Sequence, residues 1–127
     1  MQKQKTIEWV LRLGLFGEFL GHGMFAWQLK PRFIEMLSAM TGIAGTSAQT
    51  LMQAIGVSDM LVALLALVKP LRVVLIFAAV WGLATAIARP VAGDPIWDFV
   101  ERWPNWALPL ALLYVRGLPK NWKELFS

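Results

Sequence analysis

The stretch GLFGEFLGHG, residues 14–23, sets a glutamate and a histidine into a run that otherwise reads as membrane-spanning, and brackets them with four glycines. No strand pattern precedes it, so the glycines do not form a phosphate-cradling loop. They belong to the middle of a long apolar helix. At about 100° per residue, Glu8, Arg12, Glu18 and His22 fall within an arc of about 120° on one face. Gly14 continues that arc, and Gly17 and Gly21 carry the small-x-x-x-small spacing that lets two helix backbones approach. The polar and glycine-rich faces adjoin, so both are expected to point into a bundle.

The rest of the chain agrees. Its 127 residues are 57% hydrophobic with a mean hydropathy of +0.57, beyond ordinary globular usage. Apolar segments lie at 6–28, 48–68, 72–88 and 105–117, against about 17 to 25 residues for a bilayer crossing. The last is the shortest, and Pro109 inside it predicts a kink. The link 69–72 predicts that the second and third helices form a tight antiparallel hairpin. Segment 30–40 carries Phe33, Ile34, Leu37 and Met40 as an apolar stripe and reads as a helix in the membrane interface. Segment 95–103 is a second interfacial element, after turn signals at Arg89-Pro90 and Gly93-Asp94-Pro95. The expected fold is one domain over residues 1–127: an all-α integral membrane four-helix bundle with short interfacial helices in its two outer loops.

Absence of cysteine excludes disulfides, thiolate metal sites and cysteine nucleophiles. The net charge of +4 comes from basic residues at the ends of apolar runs, which suits lipid and topology rather than nucleic acid. With four spans, Lys3, Lys5, Lys69, Arg72, Arg116, Lys120 and Lys123 gather on one side, against Lys30, Arg32, Arg89 and Arg102 on the other. Both termini are therefore expected on the cytoplasmic side of an inner membrane.

On the second helix, Gln49, Gln53, Gly56 and Asp59 share a face, with Gly56 a further packing candidate. Counted from the helix ends, Glu18, Asp59 and Trp81 fall at similar depth, with His22 near Thr85 and Gly56. A polar site is expected between the first three helices, built from Glu18, His22, Gln53 and Asp59 and lined by Trp81 and Thr85. Arg12 is expected to snorkel or pair with Glu8, and Arg89 and Asn105 to cap the outer end. A carboxylate at the middle of a membrane helix costs about 2.5–3.5 kcal/mol on insertion scales, so such a group is paired, solvated in a cavity or neutral. Two readings stand side by side: a site that binds or passes a proton or ligand, and polar bonds that hold helices together. Glu18, His22 and Asp59 supply a ligand count for a metal, but no second histidine exists, which also excludes bis-histidine haem within one chain. No nucleophile triad or dinucleotide fingerprint is present.

The layout resembles the DoxX-like small membrane proteins. The matching pieces are Arg12-Leu-Gly14-Leu-Phe-Gly17 with Gly21-His-Gly23, then Gly56-Val-Ser-Asp59, Lys69-Pro-Leu-Arg72 and Pro109-Leu-Ala-Leu-Leu. His22 and the long connection 89–106 depart from the pattern. The resemblance implies a four-helix bundle in the cytoplasmic membrane, acting as a membrane subunit of, or accessory to, a quinone-linked redox complex rather than as an enzyme by itself. The cofactor stays open, with a quinone as the one candidate the resemblance offers. The expected partners are the bilayer and redox-complex subunits, and, because four short helices enclose little volume, a second copy of the chain. Two other functions stay open: a proton-coupled small-solute carrier or channel, and a non-catalytic assembly factor for other membrane proteins.

Overall fold

The computed structural model describes residues 2–127, and among them it is all-helical. The order is α1 (Gln2–Trp27), α2 (Pro31–Thr41), α3 (Gly45–Val68), α4 (Arg72–Val91), α5 (Ile96–Glu101) and α6 (Pro104–Arg116), then a short 3-10 turn at Lys123–Phe126. By length and composition, α3 and α4 can each cross a membrane. At 24 and 20 residues they rise about 36 and 30 Å at about 1.5 Å per residue. The helix α1 is longer, at 26 residues, but carries Glu8, Arg12, Glu18 and His22 along its length. With 13 residues, α6 reaches only about 20 Å.

Proline and glycine set most of the limits. Pro31 opens α2 where a missing N–H costs nothing, and Gly42 closes it in the left-handed region at φ 78°, its N–H donating to the Ser38 carbonyl. Pro70 follows the end of α3, and Pro104 opens α6. One proline does not act as the sequence suggests. The turn expected at Arg89-Pro90 lies further on, because α4 continues through Pro90 to Val91 and the chain reverses at Gly93, φ 100°. Pro90 forfeits one bond within the last turn. The carbonyls of Ala88, Arg89 and Pro90 are recovered by the N–H groups of Ala92, Gly93 and Asp94. Pro109 lies fully buried within a continuous α6.

The core is shared by four helices: Leu15 and Phe19 of α1, Val62, Ala63 and Ala66 of α3, Leu75 and Ala78 of α4, and Leu112 and Leu113 of α6. Packing runs chiefly along α1–α3 and α4–α6, whereas α3 and α4 meet over a much shorter length than their hairpin connection suggests. Glycine explains the preference. A Cβ at Gly23 would lie 2.9 Å from the Gly56 carbonyl oxygen, and one at Gly56 would lie 2.8 Å from that of Gly23. These two glycines bring the α1 and α3 backbones together, as Gly82 does for α4 against the start of α6. A Cβ at Gly14 would make ordinary contact with Leu108, and one at Gly17 or Gly21 would meet nothing within 4 Å.

Arginines tie the helix ends. The buried Arg12 donates through Nε to the carbonyls of Leu67, at 3.0 Å, and Ala66, at 3.3 Å, and through a terminal nitrogen to Leu67 again. It also pairs with Glu8 at 3.4 Å. The orphan carbonyls at the C-terminus of α3 thereby gain a cation, which also complements the helix dipole. Arg72 does the same for α6, donating to the carbonyls of Gly117 and Arg116 at 2.6 Å each.

The amphipathic α2 lies over α3 and α4. Arg32 fastens it, pairing with Glu35 at 3.0 Å and with Asp94, and donating to the Ala92 carbonyl at 3.3 Å. The Glu35 hydrogen bond and then that of Asp94 raise this guanidinium above its ordinary pKa, with burial opposing. Arg32 thus carries the side-chain hydrogen bonds that join α2 to the loop after α4. Arg32→Ala is expected to speed amide exchange across α2 while leaving α1 and α3 protected. Unchanged protection of α2 would mean that its apolar face alone holds it down.

Candidate functional site

Asp59 sits in the middle of α3 with 4% of its surface exposed. An acid there needs a partner, and α4 supplies one: the indole Nε1 of Trp81 donates to Asp59 Oδ1 at 3.0 Å. Phe77, one turn earlier on α4, stacks parallel to Trp81 at 6.3 Å, which fixes the indole plane. The pair joins α3 to α4 across the interior, where few other contacts do so. The carboxylate keeps a second oxygen beyond the indole bond.

Asp59 and Trp81 line a half-open cavity of about 190 Å3 between α1, α3 and α4, with α2 forming one wall. His22, Thr85 and Arg89 are its other polar wall groups apart from Thr41. Thr85 donates its hydroxyl to the Gly82 carbonyl at 3.0 Å. Most of the wall is apolar, including Phe33, Met36, Leu37 and Met40 from α2 and Met52 from α3. The α2 residues follow i, i+3, i+4 and i+7, the spacing of a helix face against a core. The sequence stripe of Phe33, Ile34, Leu37 and Met40 contains three of these four, with Ile34 where the structure places Met36.

Glu18 opens elsewhere. It lines a second, half-open cavity of about 270 Å3 with Gly21, His22, Phe25, Lys30, Phe33, Arg89, Arg102 and Asn105. Its Oε2 is buried without a hydrogen-bond partner. The structure thus divides the expected cluster into two compartments, with His22, Phe33 and Arg89 in both walls. The His22 ring meets Phe33 edge-on at 6.1 Å. Gln53 joins neither compartment, because its amide reaches the end of α1 and donates to the Trp27 carbonyl at 3.3 Å. Among the described residues, no three His, Cys, Asp or Glu side chains are grouped to hold a metal ion, so Glu18, His22 and Asp59 do not form such a set.

Sequence reasoning missed two contributors to the second cavity, Lys30 and Arg102. Both were counted only as topology charges, and Arg102 reaches this wall only because the α5 connection folds back on α4. Chemically, the first cavity offers an apolar slot with one carboxylate acceptor and with donors at His22 and Arg89. The second offers three cations around one carboxylate. No family model, curated protein or solved structure matches the chain.

Proposed function

We propose that the chain is a DoxX-like, four-span protein of the inner membrane with both termini in the cytoplasm. In this reading it serves as a membrane subunit of, or accessory to, a quinone-linked redox complex. Membrane residence is supported by α3 and α4 and by the apolar side chains that the long helices turn outward: Val10, Leu13, Leu61, Leu64 and Val80 are each more than half exposed. In this arrangement α1 and α6 complete the spans, their charged groups turned inward or held at the ends by Arg12, Glu8 and Arg116. The orientation rests on the excess of Lys and Arg at the end that carries the α3–α4 turn.

The observation that carries the redox reading is the Asp59–Trp81 pair in the wall of a largely apolar cavity. A dry cavity of about 150 Å3 accepts benzene, so 190 Å3 suits a single substituted ring. The residues fit a quinone ring: His22 and Arg89 can donate to a ring oxygen, and the second oxygen of Asp59 can accept from a ring hydroxyl. When bound, such a ring carries two electrons and two protons between redox partners. The chain's own part is to seat the ring against Phe33, Met36 and Met40 and to hold the proton-accepting oxygen of Asp59 in place through Trp81.

Solvent extraction and mass spectrometry of the full chain purified in mild detergent test this reading. A quinone is expected at close to one per chain. Asp59→Asn replaces a charged acceptor and is expected to lower retention of the reduced ring, whose hydroxyl donates to it, roughly tenfold to a hundredfold, from about 1.5–3 kcal/mol for a charged hydrogen bond. The oxidised ring, which has no hydroxyl to donate, is retained as before. A quinone-free preparation that also fails to bind added short-chain quinone would overturn it. The alternative of a proton-coupled carrier is favoured by His22, which stands in the wall of both cavities. Solute flux in liposomes that depends on His22 and Asp59 would select that use instead.

A further inference from the structure

The second cavity carries an assignment that rests on the membrane placement proposed above but not on the quinone reading. Its wall brings Lys30 from the α1–α2 turn, Arg89 from α4 and Arg102 from the end of α5 around Glu18. Among the described residues, none of these three cations forms an ion pair within 4 Å, although Arg12, Arg32 and Arg116 all do. The Nε atoms of Arg89 and Arg102 are buried without an acceptor, and Glu18 Oε2 is buried without a donor. Buried polar atoms are rarely left unpaired, and charged ones cost most when they are. The remaining polar atoms of these groups, the terminal guanidinium nitrogens of Arg89 and Arg102 and Oε1 of Glu18, stay accessible and have no side-chain partner among the described residues, so they are free to take a ligand.

We propose that this cavity binds a phosphate ester bearing a primary ammonium group, and that its source is the headgroup of phosphatidylethanolamine. The phosphate oxygens satisfy the Arg89 and Arg102 guanidinium groups, with Lys30 adding charge. The ammonium donates to Glu18. Arginine suits this task because its planar fork matches phosphate geometry. Gly21 keeps the mouth clear: it is exposed, and a Cβ there would meet nothing within 4 Å. The site would lie near the outer end of the bundle, where headgroups are found.

The full chain in detergent is delipidated and offered phosphatidylethanolamine, phosphatidylcholine or phosphatidylglycerol with identical acyl chains, and retention is read by native mass spectrometry. The choline nitrogen has no N–H, and the glycerol headgroup has no ammonium. Ethanolamine lipid is expected to be retained about tenfold over choline lipid, the lower end of a charged hydrogen bond. Glu18→Gln is expected to bring that ratio close to one, whereas Arg102→Gln weakens all three lipids together. Gly21→Ala places a methyl in open space at the cavity wall, so it is expected to leave the fold intact and to lower retention of every lipid modestly. Displacement by free phosphoethanolamine at equal concentration would assign the same chemistry to a soluble source, and failure to displace assigns it to the lipid. Equal retention of ethanolamine and choline lipids by the unaltered chain, or an unchanged ratio in Glu18→Gln, overturns the proposal.

Discussion

Gly82→Ala is expected to separate α4 from α6 and to lower stability by about 3 kcal/mol or more, the upper range for overpacking a dense interior. The added methyl would overlap the Asn105 carbonyl oxygen, with its carbon 2.5 Å away and the Trp106 nitrogen at 3.1 Å. These are backbone atoms at the start of α6, so no side chain can swing aside. Relief requires α6 to move. Since α6 contributes Leu112 and Leu113 to the common core, the shift would open that core as well. Gly17→Ala is the matched control, because its methyl meets nothing within 4 Å. Replacing glycine within a helix is worth roughly 1 kcal/mol of helix propensity, so this variant should be neutral or stabilised. Thermal unfolding in one detergent compares the two, and equal midpoints would remove the close approach at Gly82 from the account of the fold.

Arg12→Met is expected to be the next most damaging change, at about 2–3 kcal/mol, the range for losing hydrogen bonds to a charged group. Methionine fills similar space but leaves the Leu67 and Ala66 carbonyls at the end of α3 without their donor. Glu8 retains only Arg116, at 3.7 Å. Arg12→Lys should recover less than half of the loss, because one ammonium cannot reproduce a fork that spans Leu67 and Glu8 together. Thermal midpoints of the two variants, with amide exchange at the last turn of α3, check both claims. Full rescue by lysine would reduce the role of Arg12 to charge alone.

Helix limits were legible because proline and glycine punctuate apolar runs of membrane length: Pro31, Gly42, Pro70 and Pro104 all fall at or beside observed ends. Depth counting also matched Asp59 with Trp81, since each lies near the middle of its helix. What spacing does not encode is the side from which a neighbour arrives. Gly17-x-x-x-Gly21 has the right interval for close approach, yet α3 packs on the seam of Arg12, Leu15, Phe19, Gly23 and Ala26. The seam is set by where Gly56 presents its own gap, more than thirty residues away in sequence. The function of Arg12 was hidden for the same reason, because its acceptors are carbonyls that every residue has and only the fold selects. Gln53 shares a helical face with Asp59, but α1 ends opposite it and its amide is drawn to that end. Glu18 and Asp59 agree in depth but line different cavities, which share His22, Phe33 and Arg89.

The wall between those chambers makes them thermodynamic neighbours. His22 and Phe33 touch edge-on and, with Arg89, face both spaces, so no occupant of one is indifferent to the rotamers that shape the other. If filling the chamber beside Glu18 alters the affinity beside Asp59 by some factor, linkage demands the same factor in reverse. The composition of the surrounding bilayer would then act on the inner chamber as an effector, and the inner ligand would act on which lipid the protein keeps.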